Sequence, residues 1–469
     1  MTSLDGIKNS PIVVTKGPAC MKMQTIFLHG PRTMHDQIRG LGRDVPGVIH
    51  ASTSFTYPSV EAAREGFATH TNASFDRTRT PDLRTPYGRF GNPNTAELEA
   101  RLLFSHGLNY DDNYGCVVFS TGMAAINAAI LTVTKPGDII IFDKDLYGCT
   151  GRFANKVLAK NHVRQSVLMD FGDNKSSYDD LRRAITPDTT AIYFETETNP
   201  HLKLNNIAKI ARIAHDVNIA QNRDPSNKIR LIADNTFLGP MFCRPWQIAK
   251  NAVPEDPELL IVVESLTKII SGFGLEMGGG VLAPNGLIYD PNWEERGLIA
   301  HRDIAGAILS PSTAFHIAHY GFPTYIDREK TAEQIALRFA KYLETVMGKW
   351  VSIVTYPGLE SYPQRDLAME MIRDYDGNPS YGFMVGFNFY GNQETQERAA
   401  TRYMDFIAQQ GYAWNFAVSL GQVRSLTEVP AAMTHYGSGM PMFARNSIGT
   451  ESPADIIDES EAAFKYAYN

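Results

Sequence analysis

The sequence predicts an α/β protein with a mostly parallel central sheet and a smaller α+β domain at its C-terminal end. Between about residues 95 and 263, short and unbroken apolar runs alternate with helical stretches. Strands that are apolar along their whole length are typical of a parallel sheet covered on both faces. After about residue 315 a long helical stretch precedes strand-like segments and another helix, which is an α+β order.

The predicted boundaries follow these changes of pattern. Residues 1–85 form a predicted N-terminal arm and connecting segment, and residues 69–86 within it are rich in loop-forming Asn, Asp, Thr and Pro. Residues 86–315 form the predicted large domain, and residues 316–469 the predicted C-terminal domain. A chain of 469 residues is long enough for about two to four domains.

The individual elements follow from apolar spacing and capping residues. Thr95 precedes an apolar three-four spacing and predicts the start of a helix. Predicted strands are 116–119, 139–142, 164–169, 191–194, 229–233, 259–263 and, in the C-terminal domain, 381–389. Predicted helices are 123–131, 152–160, 177–184, 204–218, 331–346 and 394–410. A glycine-rich segment occupies residues 272–280.

Composition and charge exclude several classes of protein. Hydrophobic residues make up 43% and charged residues 20%, which predicts a packed globular chain. The net charge of −7 lacks the basic excess of a nucleic-acid-binding protein. The four cysteines are isolated and form no C-x-x-C pair. No signal-peptide core and no apolar run of about 20 residues is present, so the sequence predicts a soluble, cytoplasmic protein without membrane or nucleic-acid partners.

Polar residues that follow the predicted strands indicate where a ligand-binding site lies, because ligands of doubly wound sheets bind beyond the carboxyl ends of the strands. Thr121, Gly122 and Met123 follow one strand and open a helix, which favours an anion such as phosphate. An ordinary strand-to-helix turn is the alternative at this position. Asp234 follows another strand, where a carboxylate suits a helix cap, a metal or a cationic heterocycle nitrogen.

The next strand ends in two hydroxyls and an amine, Ser265, Thr267 and Lys268. This combination suits phosphate contact and an amine nucleophile. Together with Asp234 and Asn199, these residue types are the parts that pyridoxal phosphate requires: an amine for its aldehyde, a carboxylate for its ring nitrogen and donors for its phosphate.

Two other kinds of site are less well supported. The run from Gly272 to Gly274 has Met277 where a dinucleotide-binding fingerprint requires its third glycine. His316 and His319 suit one face of a helix, but no acidic or cysteine residue stands beside them in the sequence. The sequence therefore predicts no metal site.

The chain resembles the pyridoxal-phosphate enzymes of cysteine and methionine metabolism, which include cystathionine lyases and synthases, O-acetylhomoserine sulfhydrylases and methionine γ-lyases. The likeness runs from about residue 46 to the C-terminus and depends on the order and spacing of several short motifs. They are Tyr87 to Pro93, Ser120 to Met123, Leu146 to Thr150, Glu195 to Pro200, Asp234 to Thr236, Ser265 to Lys268, Ser419 to Gly421, Met433 to His435, and Arg445.

The resemblance implies fold type I of the pyridoxal-phosphate-dependent transferases, the aspartate aminotransferase-like fold, with pyridoxal 5′-phosphate as cofactor. Lys268 would bind the cofactor covalently, Asp234 would face the pyridine nitrogen, and Asn199 would contact the ring hydroxyl. Tyr147 would stack on the ring and act as an acid or base. The phosphate would be held by Thr121, Gly122, Met123, Ser265 and Thr267.

The resemblance also implies an assembly and a substrate contact. Tyr87 and Arg89 would reach the phosphate of a neighbouring subunit, so the chain is expected to form a homodimer with shared sites, usually within a tetramer. Arg445 would bind the substrate carboxylate beside Ser419. A nearby Arg89 is expected to lower the pKa of Tyr147 from its usual value of about 10. For each residue alone, a structural role remains open: Tyr87 as a loop aromatic, Asn199 as a turn residue and Arg445 as a surface cation.

Two positions favour one reaction within the family. Val418 precedes Ser419, where relatives that handle cystathionine tend to carry glutamate, and an apolar side chain there suits a small substrate. Cys149 resembles methionine γ-lyases, although a small buried hydrophobe is the alternative for this residue. These residues predict γ-elimination from a methionine-like or homoserine-derived amino acid, giving a 2-oxo acid, ammonia and a thiol or other leaving group.

Other outcomes stay open at this point. The alternatives are γ-replacement on an O-activated homoserine, as in a sulfhydrylase or cystathionine γ-synthase, and a cofactor-binding protein that has lost catalysis. The sequence also departs from the family pattern around the cofactor, at Ile269, Phe273, Leu275 and Arg424. These departures predict the usual chemistry on an unusual amino acid.

Overall fold

The structure is a computed structural model that describes residues 47–64, 87–109, 112–172, 175–225, 227–288, 297–433 and 442–469. The predicted N-terminal arm up to residue 46 and the predicted loop at residues 69–86 lie outside the described residues. Across those described ranges, every helix is too short or too polar to cross a membrane.

A seven-stranded sheet forms the centre of the larger part of the molecule. Its strands are β1 (Tyr114–Phe119), β2 (Ile139–Asp143), β3 (Gln165–Met169), β4 (Thr189–Glu195), β5 (Arg230–Asp234), β6 (Leu260–Glu264) and β7 (Gly279–Pro284). They are ordered β1-β7-β6-β5-β4-β2-β3, and β2 to β6 pair in parallel. The prediction of a mostly parallel sheet is therefore confirmed.

Strand β7 was not predicted, and it pairs antiparallel with both β1 and β6. It begins with Gly279 and Gly280, which give no apolar signal in the sequence. Tertiary packing requires these glycines, because a Cβ atom on Gly280 would lie 2.3 Å from Leu102 Cδ2 and one on Gly279 would lie 2.3 Å from the Thr121 carbonyl oxygen.

Helices cover this sheet. They are α1 (Pro93–Ser105), α2 (Gly122–Val133), α3 (Gly148–Arg152), α4 (Ala159–Asn161), α5 (Lys175–Ala184), α6 (Ile207–Ala220), α7 (Gly239–Phe242), α8 (Pro245–Ala252), α9 (Asn285–Ile288), α10 (Leu298–Ile304) and α11 (Pro311–His316). Helix α1 starts at Pro93 rather than near Thr95, because Asn92 caps it by accepting the N–H of Asn94. The helix predicted at 152–160 is divided by a π-helical segment, Phe153–Leu158.

A second sheet lies in the C-terminal part of the chain. Its strands are β8 (Val351–Thr355), β9 (Met384–Phe389), β10 (Trp414–Phe416), β11 (Ser425–Glu428) and β12 (Phe443–Ser447), ordered β10-β11-β12-β9-β8. Its helices are α12 (Phe322–Thr345), α13 (Arg365–Met371), α14 (Gln393–Gln410) and α15 (Pro453–Tyr468). Helix α12 begins before the predicted start at residue 331, because a proline is accommodated in the first turn of a helix.

The two sheets place their polar strand ends toward each other. Strands β4, β5 and β6 are buried along their whole length, and each ends in an acidic residue. Three carboxyl groups therefore lie at one edge of the sheet. Glu195 and Asp234 are register neighbours at this edge, and Glu264 ends the next strand. Two side chains of the C-terminal part reach the same edge: Ser419, in the loop between β10 and β11, contacts Lys268, and Arg445, on β12, contacts Asn199.

Candidate active site

Asp234 provides a buried carboxylate at the carboxyl end of β5. The Tyr193 hydroxyl donates to its Oδ2 at 2.9 Å, and the backbone N–H of Thr236 donates to Oδ1 at 3.1 Å. Burial raises the pKa of Asp234, and the bond from Thr236 opposes that rise. A carboxylate in this position is stabilised by a cation placed opposite it, which fits the ring nitrogen of the predicted cofactor.

Lys268 provides a partly buried amine one strand away. Its Nζ donates to Ser419 Oγ at 2.9 Å, so the amine lies where the two sheets meet. Burial and the nearby positive charge of Arg445 lower the pKa of Lys268 to about 8, against the opposing charges of Glu428 and Asp234. A substantial fraction of the amine is therefore neutral near physiological pH, which is the state that attacks an aldehyde.

The turn before α2 forms a compact seat for an anion. The Thr121 hydroxyl accepts the N–H of Ala124 and caps the helix, and the preceding N–H groups have no acceptor within the helix. Gly122 lies so close to Ser265 that a Cβ atom on residue 122 would be 2.8 Å from the Oγ atom of Ser265. The Thr267 hydroxyl accepts the N–H of Gly278 at 3.1 Å. Free N–H groups, hydroxyls and the positive end of a helix dipole fit a phosphate group.

Arg445 lies on β12 and is buried, so the reading of this residue as a surface cation is wrong. Its Nη1 donates to Asn199 Oδ1 at 2.6 Å, and its Nη2 donates to the Ser419 carbonyl oxygen at 3.2 Å. Asn199 in turn donates its backbone N–H to Glu195 at 2.8 Å. These bonds link the strand end of β4 with the C-terminal sheet beside Lys268.

Sequence reasoning missed Glu428, the last residue of β11. Glu428 and Arg445 are opposite residues in the antiparallel pairing of β11 and β12, and Oε1 lies 2.6 Å from Nη2 of the arginine. Burial raises the pKa of Glu428, while Arg445 and Lys268 oppose the rise. Its surroundings in the sequence gave little signal, because only Leu426 is apolar in the short strand that Glu428 ends.

Sequence reasoning also missed a buried pair behind the anion seat. His106 Nε2 lies 3.1 Å from Glu264 Oε1, and both side chains are buried. Asn235 donates its amide to the same carboxylate oxygen at 2.9 Å. Since Asn235 follows Asp234 and Glu264 precedes Ser265, this pair holds the two functional loops against each other.

Tyr147 lies at the open side of the site. Its backbone N–H donates to Glu195 Oε1 at 2.6 Å, and its ring is 37% exposed. Burial and the neighbouring Cys149 raise the pKa of Tyr147 to about 12, and Arg445 is the cation that opposes the rise. Within one chain Arg89 is not among the charges that act on Tyr147, so the expected lowering of this pKa stays a prediction about the Arg89 of a neighbouring copy. Cys149 is exposed, so it is not the buried hydrophobe considered as an alternative.

Tyr87 and Arg89 lie apart from this cluster within one chain. Arg89 Nη1 donates to the Asp303 carbonyl oxygen at 2.7 Å, and its guanidinium lies 4.6 Å from the centre of the Phe90 ring. Tyr87 pairs with Ser54 in an isolated bridge. Among the described residues, neither side chain has a recorded contact with Lys268 or the anion seat.

The loop that carries Val418 and Ser419 presses against the residues after Lys268. Ser419 has a φ of 93°, a strained conformation for a residue other than glycine. A Cβ atom on Gly421 would lie 2.4 Å from Ile269 Cγ2, so the two segments are in close contact. Val418 remains 51% exposed beside Ser419 and Lys268.

The departures from the family pattern lie around this loop. Phe273 packs beneath Arg328, with the guanidinium carbon 5.4 Å from the ring centre, and Leu275 is 83% exposed. Arg424 is exposed. His316 pairs with Glu276 and His319 with Glu97, so the two histidines have different carboxylate partners, and no cluster of three or more metal-binding side chains occurs in the part of the chain that the structure describes.

Comparison with known proteins identifies what the chain is similar to. The family model described as Cys/Met metabolism PLP-dependent enzyme matches residues 25–465. An L-methionine gamma-lyase of Pseudomonas deceptionensis is 30% identical over 443 residues, which covers 92% of this chain and 95% of that protein. A cystathionine gamma-synthase of Mycobacterium bovis is 29% identical over 421 residues, covering 88% of this chain and 90% of that protein.

Solved structures have the same fold. The crystal structure of metB from Corynebacterium glutamicum matches with a TM-score of 0.76 and 26% identity, covering 96% of this chain and 99% of that chain. Cystathionine gamma synthase from Xanthomonas oryzae pv. oryzae, in complex with aminoacrylate and cysteine, matches with a TM-score of 0.74 and 24% identity, covering 95% and 98%.

Proposed function

The chain belongs to the Cys/Met metabolism PLP-dependent enzymes, and on this premise we propose that it catalyses γ-elimination from a methionine-like or homoserine-derived amino acid. The products would be a 2-oxo acid, ammonia and a thiol or comparable leaving group. The observation that carries the proposal is the convergence of an amine, a guanidinium and a phenol at one strand edge. Lys268 bonds to Ser419, Arg445 bonds to the same residue, and the charge of Arg445 acts on Tyr147.

The family's cofactor is pyridoxal 5′-phosphate, and the residues present fit it. We propose that Lys268 holds it covalently, that Asp234 faces its ring nitrogen and that Asn199 contacts its ring hydroxyl. Its phosphate would occupy the seat formed by Thr121, Gly122, Met123, Ser265 and Thr267. When bound, the cofactor supplies an electron sink that stabilises negative charge at the substrate α carbon.

The protein's own groups would move the protons. Lys268 Nζ would take the α proton, because a pKa of about 8 places the amine close to the pH at which a general base is efficient. Tyr147, with a pKa of about 12, keeps its hydroxyl proton at neutral pH. Its Oη would therefore donate a proton to the leaving group rather than begin as a base. Arg445 would bind and orient the substrate carboxylate.

Val418 and Cys149 support elimination from a small amino acid. Both residues are exposed near the amine, Val418 next to Ser419 and Cys149 close enough to affect the pKa of Tyr147. Val418 offers no carboxylate to a distal ammonium group, so a large zwitterion such as cystathionine would gain no ionic contact from it. The similar methionine gamma-lyase of Pseudomonas deceptionensis points in the same direction.

A second candidate is γ-replacement on an O-activated homoserine. It is supported by the cystathionine gamma-synthase of Mycobacterium bovis, whose identity and coverage are nearly those of the lyase. Incubating the enzyme loaded with pyridoxal phosphate with methionine, homocysteine, cystathionine and O-acetylhomoserine, each with and without added thiol, separates the two. Elimination predicts 2-oxo acid from methionine alone, whereas replacement predicts turnover of O-acetylhomoserine only with thiol. Cystathionine as the best substrate would contradict our interpretation of Val418.

The uptake of cofactor provides a pH prediction. The neutral amine is the nucleophile, so a lysine with a pKa of about 8 captures the aldehyde faster as pH rises and reaches its full rate above that value. We expect the rate at which cofactor-free protein gains visible absorbance after mixing with pyridoxal phosphate to level off above about pH 8. A Lys268→Ala background corrects for surface lysines. A rate that keeps rising through about pH 10 would indicate an unshifted lysine.

We also propose that the chain forms a homodimer in which each copy contributes residues to the other's active site, and that such dimers assemble into a tetramer. Tyr87 and Arg89 lie apart from Lys268 in the single chain, which supports their acting on the site of a neighbouring copy.

A further inference from the structure

Glu428 is a buried carboxylate inside the candidate active site that the proposed roles do not use. It is 1% exposed and faces Arg445 across the β11–β12 pairing, with Oε1 2.6 Å from Nη2. Its negative charge also acts on Lys268 and on Tyr147. The carboxylate therefore lies among the groups that would surround a bound amino acid.

The oxygens of Glu428 are poorly satisfied by the protein. Among the described residues, neither Oε1 nor Oε2 accepts a hydrogen bond of good geometry, although both atoms are shielded from solvent. A buried acceptor without a donor costs about 1–3 kcal/mol, and more when it is charged. Such a group calls for a donor, and a ligand that enters the site can supply one.

Arg445 retains capacity for a second anion beside Glu428. Two of its five N–H groups donate to Asn199 and Ser419, and Glu428 lies against it as an ion-pair partner, so N–H groups remain for a substrate carboxylate. A Lys268 that holds the cofactor would no longer offer a free ammonium group to Glu428. The pocket then contains one positive and one negative side chain next to each other.

We propose that Glu428 binds the α-ammonium group of the incoming amino acid while Arg445 binds its carboxylate. The pair would recognise a zwitterion, because each charge of the substrate meets an opposite charge on adjacent strands. A ligand with the carboxylate alone would leave Glu428 as an unpaired negative charge beside it, so the same residue would reject deaminated acids, including the 2-oxo acid product. This inference rests on the proposed function only in taking an α-amino acid as the substrate.

The test compares two ligands of similar shape on the enzyme loaded with pyridoxal phosphate and then reduced with borohydride, which fixes the cofactor on Lys268 so that neither ligand can form a covalent bond with it. L-Norleucine carries both charges, and hexanoate carries the carboxylate only. We expect Glu428→Gln to lower the affinity for norleucine by about tenfold and to raise the affinity for hexanoate by a similar factor, as measured by calorimetric titration. The change in opposite directions separates charge recognition from a structural defect, which would weaken both ligands.

A matched control is Glu459→Gln, which alters another buried carboxylate of the C-terminal part. Glu459 accepts N–H bonds from Tyr412, Ala413 and Trp414, away from the site, so both affinities should stay unchanged. If Glu428→Gln does not load the cofactor, Glu428→Asp keeps the charge and should keep the preference for norleucine. Equal shifts for both ligands, no shift, or loss of preference in Glu428→Asp would overturn the proposal. Because the assay measures binding, failure of γ-elimination is detected separately by the product assay.

Discussion

Replacing Lys268 with alanine is expected to lower turnover by on the order of 10³-fold or more and to remove the visible absorbance of the lysine-bound cofactor. The side chain is the only described amine at the strand edge next to Asp234 and Ser419, and its lowered pKa of about 8 suits both nucleophilic attack and proton transfer. Alanine removes both functions and leaves the loop backbone intact. Steady-state rates and an absorbance spectrum of the purified protein measure the two effects.

Lys250→Ala is the matched control for this substitution. Lys250 is an exposed lysine that pairs with Asp112 and lies over the Trp246 ring, far from the strand edge. Surface pairs of this kind contribute little, so activity should stay within about twofold. Retention of the spectrum in Lys268→Ala, or equal losses in both variants, would contradict the assignment of Lys268.

Substituting Asp234 with asparagine is expected to lower kcat by about 10²- to 10³-fold. Asparagine has nearly the same shape but no charge, so it cannot oppose the positive charge of a protonated ring nitrogen. Tyr193 and Thr236 both donate to Asp234, which holds the carboxylate in place and keeps it from turning away. Single-turnover rates with saturating cofactor measure the loss of chemistry separately from weaker binding.

Tyr193→Phe is the control that keeps the charge. It removes the 2.9 Å bond to Asp234 Oδ2 but leaves the carboxylate and the bond from Thr236. We expect a decrease of about tenfold, because a hydrogen bond to a charged group is worth about 1.5 kcal/mol at the low end of its range and the bond from Thr236 still holds the carboxylate. A loss in Tyr193→Phe as large as in Asp234→Asn would mean that orientation, and not charge, is the contribution of Asp234.

The functional residues at the ends of strands were predictable, because each apolar run and the polar residues after it are adjacent in the sequence. Asp234 ends one apolar strand, and Ser265 and Lys268 lie in the turn that follows the next one, so a parallel sheet brings all three to one edge. Arg445 was reached by resemblance alone, since nothing local distinguishes it from a surface cation. Its burial and its bonds to Asn199 and Ser419 exist only because the C-terminal sheet lies against the large one.

Electrostatic neighbours were the least predictable part of the site. Within one chain Arg89 bonds to the Asp303 carbonyl, and the cation that acts on Tyr147 is Arg445, which the sequence did not indicate. Within one chain the pKa of Tyr147 is raised, with burial as the largest cause and Cys149 as the next. Burial and charge depend on which distant segments meet, and a residue's own sequence neighbours carry little information about either.

The amino-acid sequence by itself determined the α/β class, where the apolar strands lie along the chain, and which polar residues end them. These features depend on local periodicity and on adjacent polar groups. Tertiary structure alone decided that β7 enters the sheet antiparallel through two glycines, that Ser419 adopts a strained backbone beside Lys268, and that Glu428 faces Arg445. Each of these is a contact between segments distant in the chain, and such contacts are selected by packing and charge rather than by local propensity.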